Sequence, residues 1–219
     1  MSREHSAGKG DFTISPVGKK DAAELLFKYH YLKDHSKGFK SGYNYGLFRE
    51  TQIPTSEGLL GICIFTGLPV PEVAQSAFGL ERNQQDGLFE LSRLCLHPKI
   101  QETEKNMATW FVARCLRKLR QTTPVRAVLS YADSEYHQGT VYRALNFRYY
   151  GLSDPKKDFW IQQEDGTFVK HSRGKIHGTT GEWRPRSRKH RYLMVYDKSL
   201  NVLWNEEKKD EQRTCCGER

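Results

Sequence analysis

The sequence predicts a mixed α/β fold in which a mostly antiparallel sheet is flanked by helices. The main observation is the order of the predicted elements, which is strand, helix, hairpin, long strand, helix, strand, helix, strand, strand. The second is a strongly amphipathic helix at 104–120, and the third is a β-branched run at 125–130 that is typical of a buried strand. With 219 residues, the chain is long enough to bury one ample core.

The first half of the chain begins with an alternating strand and continues with a helix. The strand covers 12–17 and the amphipathic helix covers 19–31, with the apolar positions Ala22, Leu25, Leu26 and Tyr29. Two strand-like runs at 43–49 and 59–66 then predict an antiparallel hairpin. The segment 68–85 contains two prolines and polar residues, so we expect a surface excursion there.

A long strand at 88–96 precedes the main helix. Strict alternation would place Phe89, Leu91, Arg93 and Cys95 on one face. Each face then carries an ionisable residue among apolar neighbours, Arg93 on one and Glu90 on the other. The pair is either a buried structural pair or part of a functional site. In the following helix, apolar residues recur every four positions: Met107, Phe111, Cys115 and Leu119.

A polar cluster follows the strand at 125–130. It consists of Tyr131, Asp133, Ser134, Tyr136 and His137, and it precedes a helix at 140–145. Open α/β sheets usually bind ligands at the carboxyl ends of their strands, so a reaction centre is expected there. Asp133 could instead be the N-cap of a helix that begins near Tyr136. Asn146 is expected in a left-handed conformation before a strand at 147–150.

His30 and Tyr31 end the first helix and allow two interpretations. A histidine suits a helix C-terminus, with a tyrosine packed on the core beside it. Alternatively, the two side chains face the central cleft, where they handle protons or clamp a substrate.

The charge balance favours a polyanionic partner, since the net charge is +9 and the pI is about 9.3. A strand at 158–163 precedes the strongly basic segment 170–191, and a last strand covers 192–196. We expect a loop that tracks phosphates and offers one stacking platform, although a flexible basic loop without a partner is the alternative. Its nucleic-acid-binding candidates are Lys170, Arg173, Lys175, Trp183, Arg184, Arg186, Arg188, Lys189 and Arg191.

The remaining features concern domains and compartment. We expect a disordered segment at 1–11, one catalytic domain at 12–197 and a charged tail at 198–219. Three of the five cysteines lie in apolar segments, which indicates reduced thiols in a cytoplasmic protein. No signal peptide or membrane-spanning run is apparent. No ligand spacing demands a metal, and the role of Cys215 and Cys216 is undetermined.

The order of elements resembles that of the GNAT acetyltransferase fold. In that fold the long strand before the main helix and the strand after it splay apart, and donor and acceptor meet in the gap. The resemblance implies a gap between 88–96 and 125–130 that brings together Ser92, Arg93, Tyr131 and Asp133.

Four motifs together resemble the phage Mom family. They are HYLK at 30–33, FELSRLCLHP at 89–98, SYADSEYHQGTVYRALNFRYYG at 130–151 and KHRYLMVY at 189–196. The family modifies adenine in phage DNA to the N6-carbamoylmethyl form, which protects the DNA from host restriction. The resemblance covers most of 12–197 and implies a double-stranded DNA substrate, action in the host cytoplasm and a possible link to iron.

The resemblance also implies functional positions. Asp133 would be a base or would orient N6, Tyr31 and Tyr142 would take part in proton transfer, and Arg93 would position the donor or stabilise an oxyanion. His30 belongs to the same catalytic set. The expected substrate-binding residues are Ser92, Ser130, Tyr131, Ser134 and His137.

The segment 101–108 departs from the usual acetyl-CoA pattern. It lacks the glycines that let backbone amides close on a pyrophosphate, and it carries two acids. Because carbamoylmethyl contains the atoms of a glycyl group, we hypothesise that glycyl-tRNA is the donor. The alternatives are a nucleic-acid-binding module without catalysis and a CoA-dependent acetyltransferase of small amines.

Overall fold

Ten strands and five α-helices make up the fold of the described residues. The computed structural model describes residues 11–31, 39–50, 55, 58–171 and 180–207. The strands are β1 (Phe12–Pro16), β2 (Tyr43–Arg49), β3 (Gly61–Gly67), β4 (Leu88–Leu96), β5 (Ala127–Asp133), β6 (Arg148–Leu152), β7 (Lys157–Gln162), β8 (Phe168–Lys170), β9 (Gly181–Pro185) and β10 (Lys189–Val195). The helices are α1 (Lys19–Tyr29), α2 (Pro71–Phe78), α3 (Pro98–Thr103), α4 (Met107–Thr122) and α5 (Thr140–Ala144).

Seven strands form the main sheet, in the order β1-β2-β3-β4-β5-β10-β6. The pairs in this sheet are antiparallel except β4 and β5, which are parallel. This architecture confirms the predicted mixed α/β fold with a mostly antiparallel sheet. The β4–β5 pairing ends where Leu91 meets Ser130, although β4 continues to Leu96 and β5 to Asp133. A gap therefore opens in the centre of the sheet.

Helices cover both faces of the main sheet. The periodic apolar side of α4 packs on a face that includes Cys63, Phe65 and Val128. The alternate residues of β3, Ile62 and Ile64, pack against α1 on the opposite face, and α2 lies farther along that face. Burial on both sides explains why β3 is apolar along most of its length.

A β-bulge in β4 shifts the alternation of its side chains. Arg93 pairs with Ile64 and Leu91 pairs with Phe65, so Ser92 is inserted between them. The Ser92 hydroxyl donates to the carbonyl of Ile64 over 3.3 Å. The prediction that Leu91, Arg93 and Cys95 share one face is therefore wrong. Arg93 and Cys95 lie on the α1 face, whereas Leu91 packs on the α4 face.

Several helix predictions are corrected by the structure. The first helix ends at Tyr29, which is exposed rather than buried, and His30 follows in an extended conformation. The predicted surface excursion contains α2, because Pro71 begins that helix and Gly79 ends it with φ of 70°. The main helix begins at Met107 and is preceded by the separate helix α3. Asn146 has φ of 63°, as predicted.

The basic segment is not one continuous loop, which corrects the sequence prediction. It contains the end of β8, all of β9 and the start of β10, and β8-β7-β9 form a second, three-stranded sheet. Arg173 and Lys175 lie outside the described residues. After β10 the chain packs back on α2, where the Trp204 indole donates to the Ser76 hydroxyl over 2.8 Å. Cys63, Cys95 and Cys115 are buried free thiols.

Among the described helices, none has both the length and the apolar composition that crossing a membrane would require.

Candidate active site

A cavity of about 730 Å³ occupies the gap between β4 and β5. Side chains from both faces of the main sheet line it. His30, Tyr31 and Asp133 contribute from the α1 face, and Ala108 and Tyr142 contribute from the α4 face. The cavity therefore connects the two sides of the sheet at the point where the strands separate.

Local backbone geometry places the two ends of the 133–142 segment at this cavity. Asp133 is the last residue of β5, and a turn follows it, so α5 begins only at Thr140. Gly139 precedes the helix with φ of 67°, and a Cβ atom there would lie 2.3 Å from the Tyr192 ring. Glycine is therefore required where the chain passes Tyr192 and turns Tyr142 towards the cavity.

Asp133 is buried and accepts hydrogen bonds from three groups. Its Oδ2 accepts from the Ser187 hydroxyl over 3.0 Å and pairs with the Lys189 ammonium, and its Oδ1 accepts from the Glu135 amide over 3.2 Å. Burial acts to raise the pKa of Asp133, but the hydrogen bonds from Lys189, Glu135 and Ser187 outweigh it and lower the pKa. The helix N-cap interpretation is wrong, because Asp133 closes a turn several residues before α5.

His30 and Tyr31 stack in the wall of the cavity, with ring centroids 4.5 Å apart. This geometry favours the cleft-facing interpretation, although His30 does also occupy the C-cap position of α1. Burial and then the charge of Arg93 lower the pKa of His30 to about 4, so its imidazole is neutral near pH 7. Burial and the charge of Asp133 raise the pKa of Tyr31, which keeps its hydroxyl protonated.

The bulge at Ser92 places Arg93 on the same face of the sheet as these groups. Its Nη1 donates to the carbonyl of Ser92 over 2.6 Å. The charge of Arg93 acts on the pKa of both His30 and Tyr31, and all three residues line the cavity. The guanidinium can therefore face a negative charge that develops within the cavity.

Tyr142 and Ser130 lie on the α4 side of the gap. The Ser130 hydroxyl donates to the carbonyl of Leu91 over 3.1 Å, and Ser130 acts to lower the pKa of the neighbouring Tyr142. Burial raises the pKa of Tyr142, so it is a neutral hydroxyl. Burial and the neighbouring Glu90 raise the pKa of Tyr131 to about 12.

Comparison with known protein families identifies the family of this chain. Residues 11–212 match the Mom protein family. The chain belongs to the Mom family. A comparison with curated protein sequences found no match.

The Mom-family chain has the fold of GNAT acetyltransferases. A GNAT family acetyltransferase from Elizabethkingia anophelis, solved with acetyl-CoA bound, is 13% identical with a TM-score of 0.50, and the match covers 86% of this chain and 100% of that one. Arabidopsis thaliana NAA60 in complex with acetyl-CoA is 11% identical with a TM-score of 0.50, covering 84% and 99% of the two chains. At these identities the likeness shows the fold.

The structure brings together most of the residues that the sequence singled out for the Mom-family site. All five catalytic candidates line the cavity, together with Ser92, Tyr131 and His137. Ser130 is buried beneath the lining, and Ser134 is exposed outside it. Glu90, which the sequence marked as an ionisable residue among apolar neighbours, also lines the cavity. Sequence reasoning missed other lining residues, since no local pattern marks them: Gln101, Asp154, Lys156 and Ser187.

Most of the described basic candidates have partners within the Mom-family chain. Lys170 and Arg186 both pair with Asp158, over 2.6 and 2.9 Å. Arg184 pairs with Glu182 and lies over the Phe168 ring, and Arg191 lies over the Trp204 ring. Arg188 donates to the carbonyl of Ser153, and Lys189 pairs with Asp133. Trp183 is exposed and available to a ligand.

The described residues of this Mom-family chain do not form a metal site, and two amides in the segment before α4 already have partners within the chain. No three His, Cys, Asp or Glu side chains of the described residues are grouped to hold a metal ion, and Asp133 already pairs with Lys189. Between β4 and α4, the Gln101 amide donates to the carbonyl of His97 and the Glu104 amide to that of Ile100. These amides are therefore used within α3 and cannot cradle a phosphate.

Proposed function

We propose that this Mom-family protein is a transferase that converts adenine in double-stranded phage DNA to N6-carbamoylmethyladenine, in the cytoplasm of the host. The modification would protect the DNA from restriction. The observation that carries the proposal is the cavity in the β4–β5 gap, where His30, Tyr31, Arg93 and Asp133 meet Tyr142. A cavity lined from both faces of a sheet suits a transfer reaction, because donor and acceptor can approach from different sides.

The acceptor would enter the cavity as a single extruded base. A cavity of about 730 Å³ accommodates a ligand of nucleotide size but not a duplex. Enzymes that act on base atoms within a duplex extrude the target nucleotide into such a pocket. The face with Asp133 is the polar side of the cavity, and we place the exocyclic N6 of adenine there.

The donor in this proposal is glycyl-tRNA. N6 attacks the ester carbonyl, so that a C–N bond forms and the C–O bond to the tRNA ribose breaks. The N6 proton passes to a base, and the ribose oxygen receives a proton. The N6-glycyl adduct has the same atoms as the carbamoylmethyl product. In the rearrangement, the amino nitrogen bonds to the carbonyl carbon as the bond from N6 to that carbon breaks. N6 bonds to the methylene carbon as the bond from that carbon to the amino nitrogen breaks. No further reactant is needed.

The surroundings of each residue support distinct roles. The Asp133 carboxylate is held in place by Lys189 and Ser187, so we assign it to the orientation of N6. Neutral His30 can accept a proton, because amine attack on the carbonyl makes the N6 proton acidic. The protonated hydroxyls of Tyr31 and Tyr142 can donate to the leaving oxygen, and Arg93 can stabilise the oxyanion.

Nucleoside mass spectrometry of DNA from cells that express the protein tests the acceptor. DNA from cells that express the wild-type protein should contain N6-carbamoylmethyladenine. Chromatography separates this nucleoside from its N6-glycyl isomer, which has the same mass. Asp133→Asn should abolish the product. Asp197→Asn is the matched control, because Asp197 forms an ion pair with Arg126 over 2.9 Å outside the cavity. Unmodified DNA despite soluble wild-type protein that binds DNA would favour the non-catalytic alternative.

The donor requires a separate experiment with purified protein. Adenine DNA and glycyl-tRNA labelled in the glycyl carbons should give labelled DNA, whereas uncharged tRNA with free glycine should not. Acetyl-CoA should give no N6-acetyl product. Acetylation by acetyl-CoA in the absence of glycyl transfer would overturn the donor assignment and favour a CoA-dependent acetyltransferase.

A further inference from the structure

A row of aromatic rings leads from the cavity to the surface of the protein. Buried His30 stacks on Tyr31, and Tyr31 contacts Tyr136 with ring centroids 4.8 Å apart and planes tilted by 38°. His30 and Tyr31 line the cavity, whereas Tyr136 lies beyond the lining. The ring of Tyr136 is therefore at the rim of the cavity, in the turn that follows β5.

The position of Tyr136 is not explained by core packing. Its side chain is 59% exposed, and it belongs to none of the three apolar clusters of the described residues. Single exposed aromatic residues are ordinary on a protein surface. This ring, however, adjoins a cavity whose lining carries the cations Arg93 and Lys156, which suit a ligand with phosphates next to a base.

Resting on the proposed function, we infer that Tyr136 binds DNA by stacking its ring on the nucleobase that flanks the extruded adenine. Extrusion of the target removes one stacking partner from each neighbouring base. Because Tyr136 lies outside the cavity, its ring cannot reach deep into the target pocket but can replace that lost partner. Every base has a π face, so this contact would tolerate different flanking sequences.

A double-mutant cycle that combines substitutions of Tyr136 with abasic sites in the DNA tests this contact. Duplex oligonucleotides with one target adenine are prepared with ordinary neighbours or with an abasic site on the 5′ or the 3′ side of the target. The kcat/KM for modification is then measured with wild type, Tyr136→Ala and Tyr136→Phe. Phe27→Ala is the matched control, because Phe27 has a similar exposure of 56% but lies on α1 outside the cavity lining.

Wild type and Tyr136→Phe should lose about tenfold in kcat/KM when the stacked neighbour is abasic. The kcat/KM of Tyr136→Ala on the intact oligonucleotide should be about tenfold lower than that of wild type. The abasic site on the stacked side should not lower it further, because the same contact is already lost. Phe27→Ala should behave as wild type. Modification by Tyr136→Ala that keeps the full abasic penalty overturns the stacking role. If wild type modifies none of the duplexes, the proposed function itself fails.

Discussion

Asp133 and Lys189 are cross-strand partners in the antiparallel pair β5–β10, and their side chains form an ion pair at the wall of the cavity. The two partners differ in their access to water, since the side chain of Asp133 is 4% exposed and that of Lys189 is 32% exposed. The Ser187 hydroxyl contacts both of them. The carboxylate is thereby held in one orientation towards the cavity.

Removal of Lys189 should destabilise the protein more than removal of the Asp133 charge. Lys189→Met leaves a buried carboxylate without its cation, and we expect a loss of about 3 kcal/mol. Asp133→Asn leaves a cation that can still reach water, and we expect a loss of about 1 kcal/mol near pH 7. Urea denaturation of both single variants and of the double variant measures the two losses and the coupling between them. Equal losses would contradict the asymmetry in burial.

The contribution of Asp133 to the free energy of unfolding should also depend on pH. Its folded pKa lies below the ordinary value of 3.8, so the carboxylate stabilises the fold above that value and ceases to do so as the pH falls through the folded pKa. The difference in unfolding free energy between wild type and Asp133→Asn should therefore narrow under acidic conditions. Urea denaturation at a series of pH values checks this, and a constant difference would argue against the lowered pKa.

His30 should make the protein less stable as the pH falls below about 6.5. Its pKa is about 4 in the fold but 6.5 ordinarily, so the unfolded chain binds more protons between these values. Stability should fall through that window by about 3 kcal/mol and then level off. His30→Gln should remove this part of the slope. A histidine resonance that titrates near pH 4 in wild type and is missing in the variant would confirm the assignment.

Tyr142→Phe tests the role of the hydroxyl separately from the packing of the ring. The ring packs against Phe147 and Tyr192, so the variant should fold, with a loss of about 1 kcal/mol for the missing hydroxyl. The rate of DNA modification should fall about 100-fold if the hydroxyl transfers a proton. Tyr150→Phe is the matched control, because Tyr150 is buried outside the cavity and should keep its rate.

Trp183 and Arg186 should affect DNA binding in different ways. Trp183 is exposed, so Trp183→Ala should weaken binding of single-stranded DNA about tenfold with little change in stability. Arg186 pairs with Asp158, so Arg186→Gln should destabilise the small sheet and leave the salt dependence of binding nearly unchanged. Fluorescence anisotropy across a salt series, with thermal unfolding in parallel, distinguishes them. A reduced salt slope for Arg186→Gln would show that its charge reaches phosphate.

The fold was predictable where the apolar pattern is long and regular. The bounds of β4 agree with the sequence, and the periodic face of α4 is buried from Met107 to Leu119. Short elements were missed for identifiable reasons. The two prolines in 68–85 favour a surface excursion, whereas in the structure Pro71 begins α2. Strand β9, with the sequence GEWRP, is mostly exposed and carries no apolar alternation.

The sequence by itself determined the fold class, the motifs that mark the Mom family and the candidate set of His30, Tyr31, Arg93, Asp133 and Tyr142. Only the tertiary structure decided how these residues are arranged. The bulge at Ser92 turns Arg93 towards α1, and the β5–β10 register joins Lys189 to Asp133, although a lysine in a basic run looks like a ligand for DNA. Both depend on pairing between strands far apart in the chain, and such register has no local signature in a sequence.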